Sequence, residues 1–162
     1  MATMGDTPDA AEERLIEAVA SAHLETGCPI ITHCEEGRGG PAQVKTLVSE
    51  GVEPSRVVLS HTDKVTDPRY HRDLLDTGVN LEYDQILRQD PDGSTIQLLG
   101  EMIEGGYLSQ LMVGTDGARR TLWAELGGSP GLAHLVKTIS DHFDPDIHHA
   151  LFVENPARFL AF

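Results

Sequence analysis

The sequence predicts an α/β chain built from four parallel βα units, and three observations predict it. Short apolar runs alternate with amphipathic helical segments along the whole chain. The loops between them are shorter than a second domain requires, so parallel pairing through crossover connections is the natural topology. Each of the four apolar runs, PIITH, RVVLSH, VNLEYD and LMVGTD, ends in a histidine or an aspartate.

In chain order, Thr7 as N-cap, Pro8 at the first helical position and acids in the first turn open a helix. Leu15, Ile16, Val19 and Ala22 recur at helical spacing, and Gly27 stops it. Pro29 to His33 reads as a strand, followed by the loop CEEGRGG and a helix from about Pro41 to Glu50. Arg56 to His61 is a buried-type strand, and the segment TDKVTD leads to a helix from Pro68 to about Asp76 that ends at Gly78. Val79 to Asp84 is the third strand, with a helix from about Ser94 to Glu104 closed by Gly105 and Gly106. Leu111 to Asp116 is the fourth. A long polar loop then precedes a helix from about Leu132 to His142, and Pro145 to Leu151 and Asn155 to Phe162 read as short terminal helices. No linker divides residues 1–162, which read as a single domain.

Composition narrows the function. With 162 residues and 40% hydrophobic content, the chain can bury a core. A formal charge of −14 repels phosphate backbones and anionic membranes, which argues against nucleic-acid and membrane partners. No apolar run approaches the roughly 18 residues that span a bilayer, and Met1 is followed by Asp6, Asp9, Glu12 and Glu13 rather than a basic leader, so a cytoplasmic location is expected. Cys28 and Cys34 suit core packing in a reducing compartment rather than a disulfide framework or a cysteine zinc cluster. No GxGxxG or GxxxxGK[ST] segment follows a strand, which disfavours nucleotide binding. Functional residues at the C-terminal ends of parallel strands are instead the arrangement of a (βα)8 barrel.

Imidazole nitrogens and carboxylate oxygens gathered from several strand ends are the donors of a catalytic divalent ion with one position open for water. His33, His61 and Asp116 fit that demand. Glu35 and Glu36 follow His33 closely enough to orient its imidazole, although loop solvation is the favoured account of them. Tyr83 and Asp84 end the third strand and are expected to shape a substrate pocket, with rim packing as the alternative. Arg119 and Arg120, just after Asp116, suit an anionic group on a small-molecule substrate, with Arg88 and Lys64 as weaker candidates. His142, His148 and His149 lie away from any strand end and read as surface residues.

The segments PIITHCEEG, VEPSRVVLSHTD, LEYDQI, MVGTDGARR and ENPARFLAF resemble the phosphotriesterase-like group of the amidohydrolase superfamily over nearly the whole chain. The resemblance implies the C-terminal half of a TIM-type (βα)8 barrel, strands five to eight. It assigns His33 and His61 to the more exposed of two metals. It assigns Asp116 to the other metal and to taking the proton from a metal-bound hydroxide that attacks an ester, lactone or phosphotriester. Zinc is the implied ion, with manganese or cobalt as substitutes. The stretch TDGARRTLWAELGGSPGL is similar to members that open phosphorylated sugar lactones, where Arg119 would contact phosphate. Those members carry a tyrosine at the position of Leu122, so the phosphate pocket is incomplete.

Two family features are missing: an HxH pair on the first strand and the carboxylated lysine that bridges the metals. Lys45 and Lys137 fall in helices and Lys64 in a loop, so at most one metal is expected on this chain. The resemblance therefore implies impaired activity for these residues alone. Two unpaired strand edges imply self-association or pairing with the barrel's first half. The competing readings are a non-catalytic metal-binding fragment or half-barrel partner and, less favoured because of the acidic charge, a TatD-like deoxyribonuclease.

Overall fold

The computed structural model, which describes residues 1–89 and 93–161, contains one sheet of five parallel strands in sequential order. The strands are β1 (Ala2–Thr3), β2 (Ile30–Cys34), β3 (Val57–Ser60), β4 (Asn80–Tyr83) and β5 (Leu111–Val113). Each connection carries a helix: α1 (Ala10–Thr26), α2 (Gly40–Ser49), α3 (Pro68–Leu75) and α4 (Ser94–Glu104). After β5 come α5 (His134–His142), α6 (Pro145–His149), a π-helical turn and α7 (Asn155–Leu160). This is the α/β architecture of part of a (βα)8 barrel.

The first strand was not expected. Ala2 and Thr3 pair with His33 and Cys34, a register too short to show periodicity, and the buried Gln43 amide holds it by donating to Thr3 Oγ1 and to the His33 carbonyl. The expected cap at Thr7 is also displaced. Asp9 caps α1 by accepting from Ala11 and Glu12 N–H, while Glu12 reaches back to Asp9 N–H, so the reciprocal capping box begins two residues later than Thr7. The second, third and fourth expected strands end before His61, Asp84 and Asp116, because these residues leave the ladder to form the site. Phe162, at the end of the expected terminal helix, lies outside the described residues.

Strand alternation sorts side chains to two faces. Val57, Leu59, Leu81, Tyr83 and Leu111 join Ile16, Leu47, Leu74, Leu99 and Ile139 of the helices in one core. Val58 and Met112 point the other way and meet Phe159 of α7. α7 is tied to the start of β5, where Asn155 Nδ2 donates to the Leu108 and Leu111 carbonyls. Ile31 lies on the same inner face as His33 and is half exposed.

A buried polar lock sits behind β4. His71 Nε2 lies 2.7 Å from the Val65 carbonyl, which fixes a proton on Nε2, and Nδ1 lies 2.8 Å from the Tyr83 hydroxyl, which donates to it when the ring is neutral. Burial holds the imidazole below its ordinary value of 6.5. The folded state therefore binds fewer protons than the unfolded chain between that depressed value and 6.5, and the stability contributed by neutral His71 is lost as pH falls through this window. Urea unfolding at pH 7.5 and 5 is expected to show a steeper loss in the wild type than in His71→Gln. Equal slopes would mean that the ring is not held neutral.

Candidate metal centre

The C-terminal strand ends deliver the site by leaving regular structure. His61 follows β3 with φ 68°, and Asp116 follows β5 with φ 37°. Left-handed backbone at residues other than glycine costs of order 1–3 kcal/mol and collects at functional sites. Here it turns both side chains toward a cavity of about 320 Å³ on the inner face, lined by His33, Ser60, His61, Glu82, Asp84 and Asp116 among others.

Three donors converge. One ligand atom each from His61, Asp84 and Asp116 lie within 4.8 Å of one another. His61 Nδ1 is 2.7 Å from Asp84 Oδ2, yet no hydrogen bond is aligned on that buried nitrogen, and the same carboxylate oxygen accepts from His61 N–H at 3.1 Å. A buried imidazole nitrogen against a carboxylate, with no aligned hydrogen bond of its own, fits a ligand for a divalent cation, and one nitrogen with two oxygens is a donor set such ions accept. His33 stands beside this trio with its ring edge-on to His61, centroids 4.4 Å apart, but its Nε2 is 2.7 Å from Glu35 Oε2. Glu35 orients His33 as the sequence reading allowed. The His33 hydrogen bond draws the Glu35 carboxyl below its usual range.

The surrounding charges were less legible. Arg88 donates to Asp116 twice, from Nη1 to the carboxylate and from Nη2 to the carbonyl at 2.6 Å. Burial acts to raise the Asp116 carboxyl, but the Arg88 hydrogen bond and charge outweigh it and the net direction is downward. Glu82 occupies the inner face of β4 and accepts from Ser60 Oγ at 2.7 Å, and burial moves its carboxyl upward. Gly114 makes room for it, since a Cβ there would stand 2.2 Å from Glu82 Oε1. Glu82 escaped the sequence reading, and its signal was a charged residue in the middle of an apolar strand. Asp63, fully buried two residues after His61, escaped as well.

Other expected site residues lie elsewhere. Tyr83 does not face the mouth: it is fully buried in the helix-side core against His71, because alternation along β4 points it away from Glu82. Asp84 does reach the cavity, as a partner of His61 at its centre and with almost no exposure, rather than as a substrate contact on the rim. Arg119 and Arg120 are exposed and outside the cavity lining. Lys64 lines a separate polar cleft with Glu35, Glu36 and Arg38. Trp123 is partly exposed, with its indole N–H donating to the Gly117 carbonyl, and it pins the loop after Asp116.

Comparison with known proteins identifies the family. The profile of the Phosphotriesterase family matches residues 2–160. The chain is 30% identical over 160 residues to the Phosphotriesterase homology protein of Escherichia coli, covering 92% of this chain and 53% of that protein. The crystal structure of a lactonase from Listeria monocytogenes superposes with a TM-score of 0.91 at 30% identity, over 100% of this chain and 53% of the other. The organophosphorus hydrolase of Deinococcus radiodurans gives 0.83 at 29%, over 99% and 54%. The chain thus spans about half the length of the relatives it matches. A match along almost every residue, carried by a parallel βα sheet with its acids and histidines at the strand ends, makes this chain a member of the phosphotriesterase family.

Proposed function

We propose that the chain supplies one side of a divalent-metal hydrolase site acting on an ester, lactone or phosphotriester bond of a small molecule. The observation that carries this reading is the convergence of one donor atom each from His61, Asp84 and Asp116 within 4.8 Å of one another at the strand ends. His61, Asp84 and Asp116 would hold the ion, with His33 beside them. Such an ion supplies Lewis acidity toward a carbonyl or phosphoryl oxygen and lowers the pKa of water toward about 7. Asp116, the more exposed of the two carboxylates, is the acceptor for the proton released by the attacking water. Arg88 keeps that carboxylate oriented. Zinc is the favoured ion, with manganese or cobalt as substitutes. Two free cysteines, Cys28 and Cys34, accord with a cytoplasmic setting.

A second reading, a metal-binding chain without catalysis that works by pairing with another half-barrel, draws on Arg88. A guanidinium bonded to Asp116 makes it a weaker proton acceptor. The half-exposed Ile31 on the inner face is a contact for such a partner.

The test is elemental analysis of the purified chain beside a His33→Ala/His61→Ala variant, with size-exclusion chromatography of both. Near-stoichiometric metal in the wild type alone, followed by turnover of a lactone or phosphotriester, supports the first reading. Metal without turnover selects the second. Metal-free protein would overturn both.

A further inference from the structure

We propose that Asp63 is a positioning residue for this centre: its buried carboxylate ties the turn after His61 to the backbone at Asp84 and so sets the carboxylate that faces His61. The proposal deepens the metal-site reading and rests on it. Asp63 is fully buried and belongs to the turn Thr62–Lys64, which His61 caps. Its Oδ2 accepts from Asp84 N–H at 3.0 Å, from Gln85 N–H at 2.8 Å and from Thr95 Oγ1 at 2.9 Å. One oxygen thus joins the turn after β3, the loop after β4 and the first turn of α4.

The turn that carries it is itself bonded to His61, whose carbonyl accepts from Lys64 N–H at 3.1 Å. On the other side, Gln85 donates its side-chain amide to Asp84 Oδ1. Both sides of the His61–Asp84 contact are therefore referenced to the Asp63 carboxylate. An apolar side chain there would leave the Asp84 and Gln85 amides buried without acceptors, which is costly for backbone groups. Nothing about packing alone requires an acid at a position with no exposure. The donors converging on it account for its presence, and they belong to the loop that presents Asp84.

The test compares the wild type with Asp63→Ala, Asp63→Asn and the core variant Leu99→Ala, which perturbs packing in α4 without removing any donor to the carboxylate. Backbone amide exchange at Asp84 and Gln85 is followed by NMR without metal, and cobalt(II) binding by visible absorption. In Asp63→Ala both amides are expected to exchange about 10-fold faster or more, and cobalt affinity to fall about 10- to 100-fold. Asp63→Asn, which keeps an accepting oxygen, is expected to restore both. Leu99→Ala is expected to lower the melting temperature without changing cobalt affinity or its spectrum. Unchanged protection of the two amides in Asp63→Ala, or equal changes in Leu99→Ala, would overturn the proposal. Should Asp63→Ala not fold, Asp63→Ser takes its place in the same comparison. A wild type that binds no cobalt would sink the metal reading, and the exchange data then decide the role of Asp63 alone.

Discussion

Asp84→Ala is expected to lower the affinity of the chain for zinc by about 10- to 100-fold or more, the range set by removing a carboxylate that holds or orients a metal ligand. The loss has two parts. The carboxylate is one of the three groups whose donor atoms cluster, so its removal leaves a single acid, Asp116, opposite His61. It also accepts from His61 N–H at 3.1 Å, and without that acceptor the left-handed backbone at His61 loses a support. Asp84→Asn keeps an oxygen for the His61 amide but not the charge, and an intermediate affinity is expected. His33→Ala is expected to cost less than Asp84→Ala, because the His33 Nε2 is engaged by Glu35. Zinc titration calorimetry on the three variants orders them. An Asp84→Ala chain with wild-type affinity would mean that the ion is held by His33, His61 and Asp116, as the strand-end pattern of the sequence suggested.

Leu81→Ala is expected to destabilise the fold by about 3–5 kcal/mol, the upper part of the range for a buried leucine truncated in a core that does not collapse around the void. Leu81 sits in β4 with Leu59 of β3 on one side in register and Leu111 of β5 on the other. All three are fully buried. A methyl in place of the isobutyl group leaves a hole in the middle of this row, and the strands on both sides are held by their ladders and unable to close it. Total stabilities of about 5–15 kcal/mol make such a loss a large share of the whole. Urea unfolding monitored by circular dichroism is the measurement, and a loss below about 1.5 kcal/mol would show that the row repacks or that the core is looser than its burial implies.

The alternation of apolar runs and amphipathic segments determined the α/β class, the parallel order and the approximate span of every major helix, because burial period and turn chemistry are local properties of the chain. The strand-end residues His33, His61 and Asp116 were legible for the same reason: a polar residue closing an apolar run is visible without knowing what faces it. Family segments such as VEPSRVVLSHTD and MVGTDGARR extended that reading to chemistry. Tertiary structure alone decided the rest. The two-residue strand at Ala2–Thr3 exists only because Gln43 and β2 receive it, and no pattern of two residues can announce that. Asp84 moved from the pocket's edge to its centre, and Tyr83 from the mouth to the core, because a register of alternate faces becomes definite only once the strand is paired on both sides. Arg88 reached Asp116 across 28 residues, and Asp63 reached Asp84 across 21, through loops whose paths are set by packing rather than by local preference. The sequence offered His33, His61, Asp84 and Asp116 as candidates for this centre, but not Glu82 or Asp63. Folding decided which of them touch, since contacts between distant loops depend on the geometry of the whole sheet.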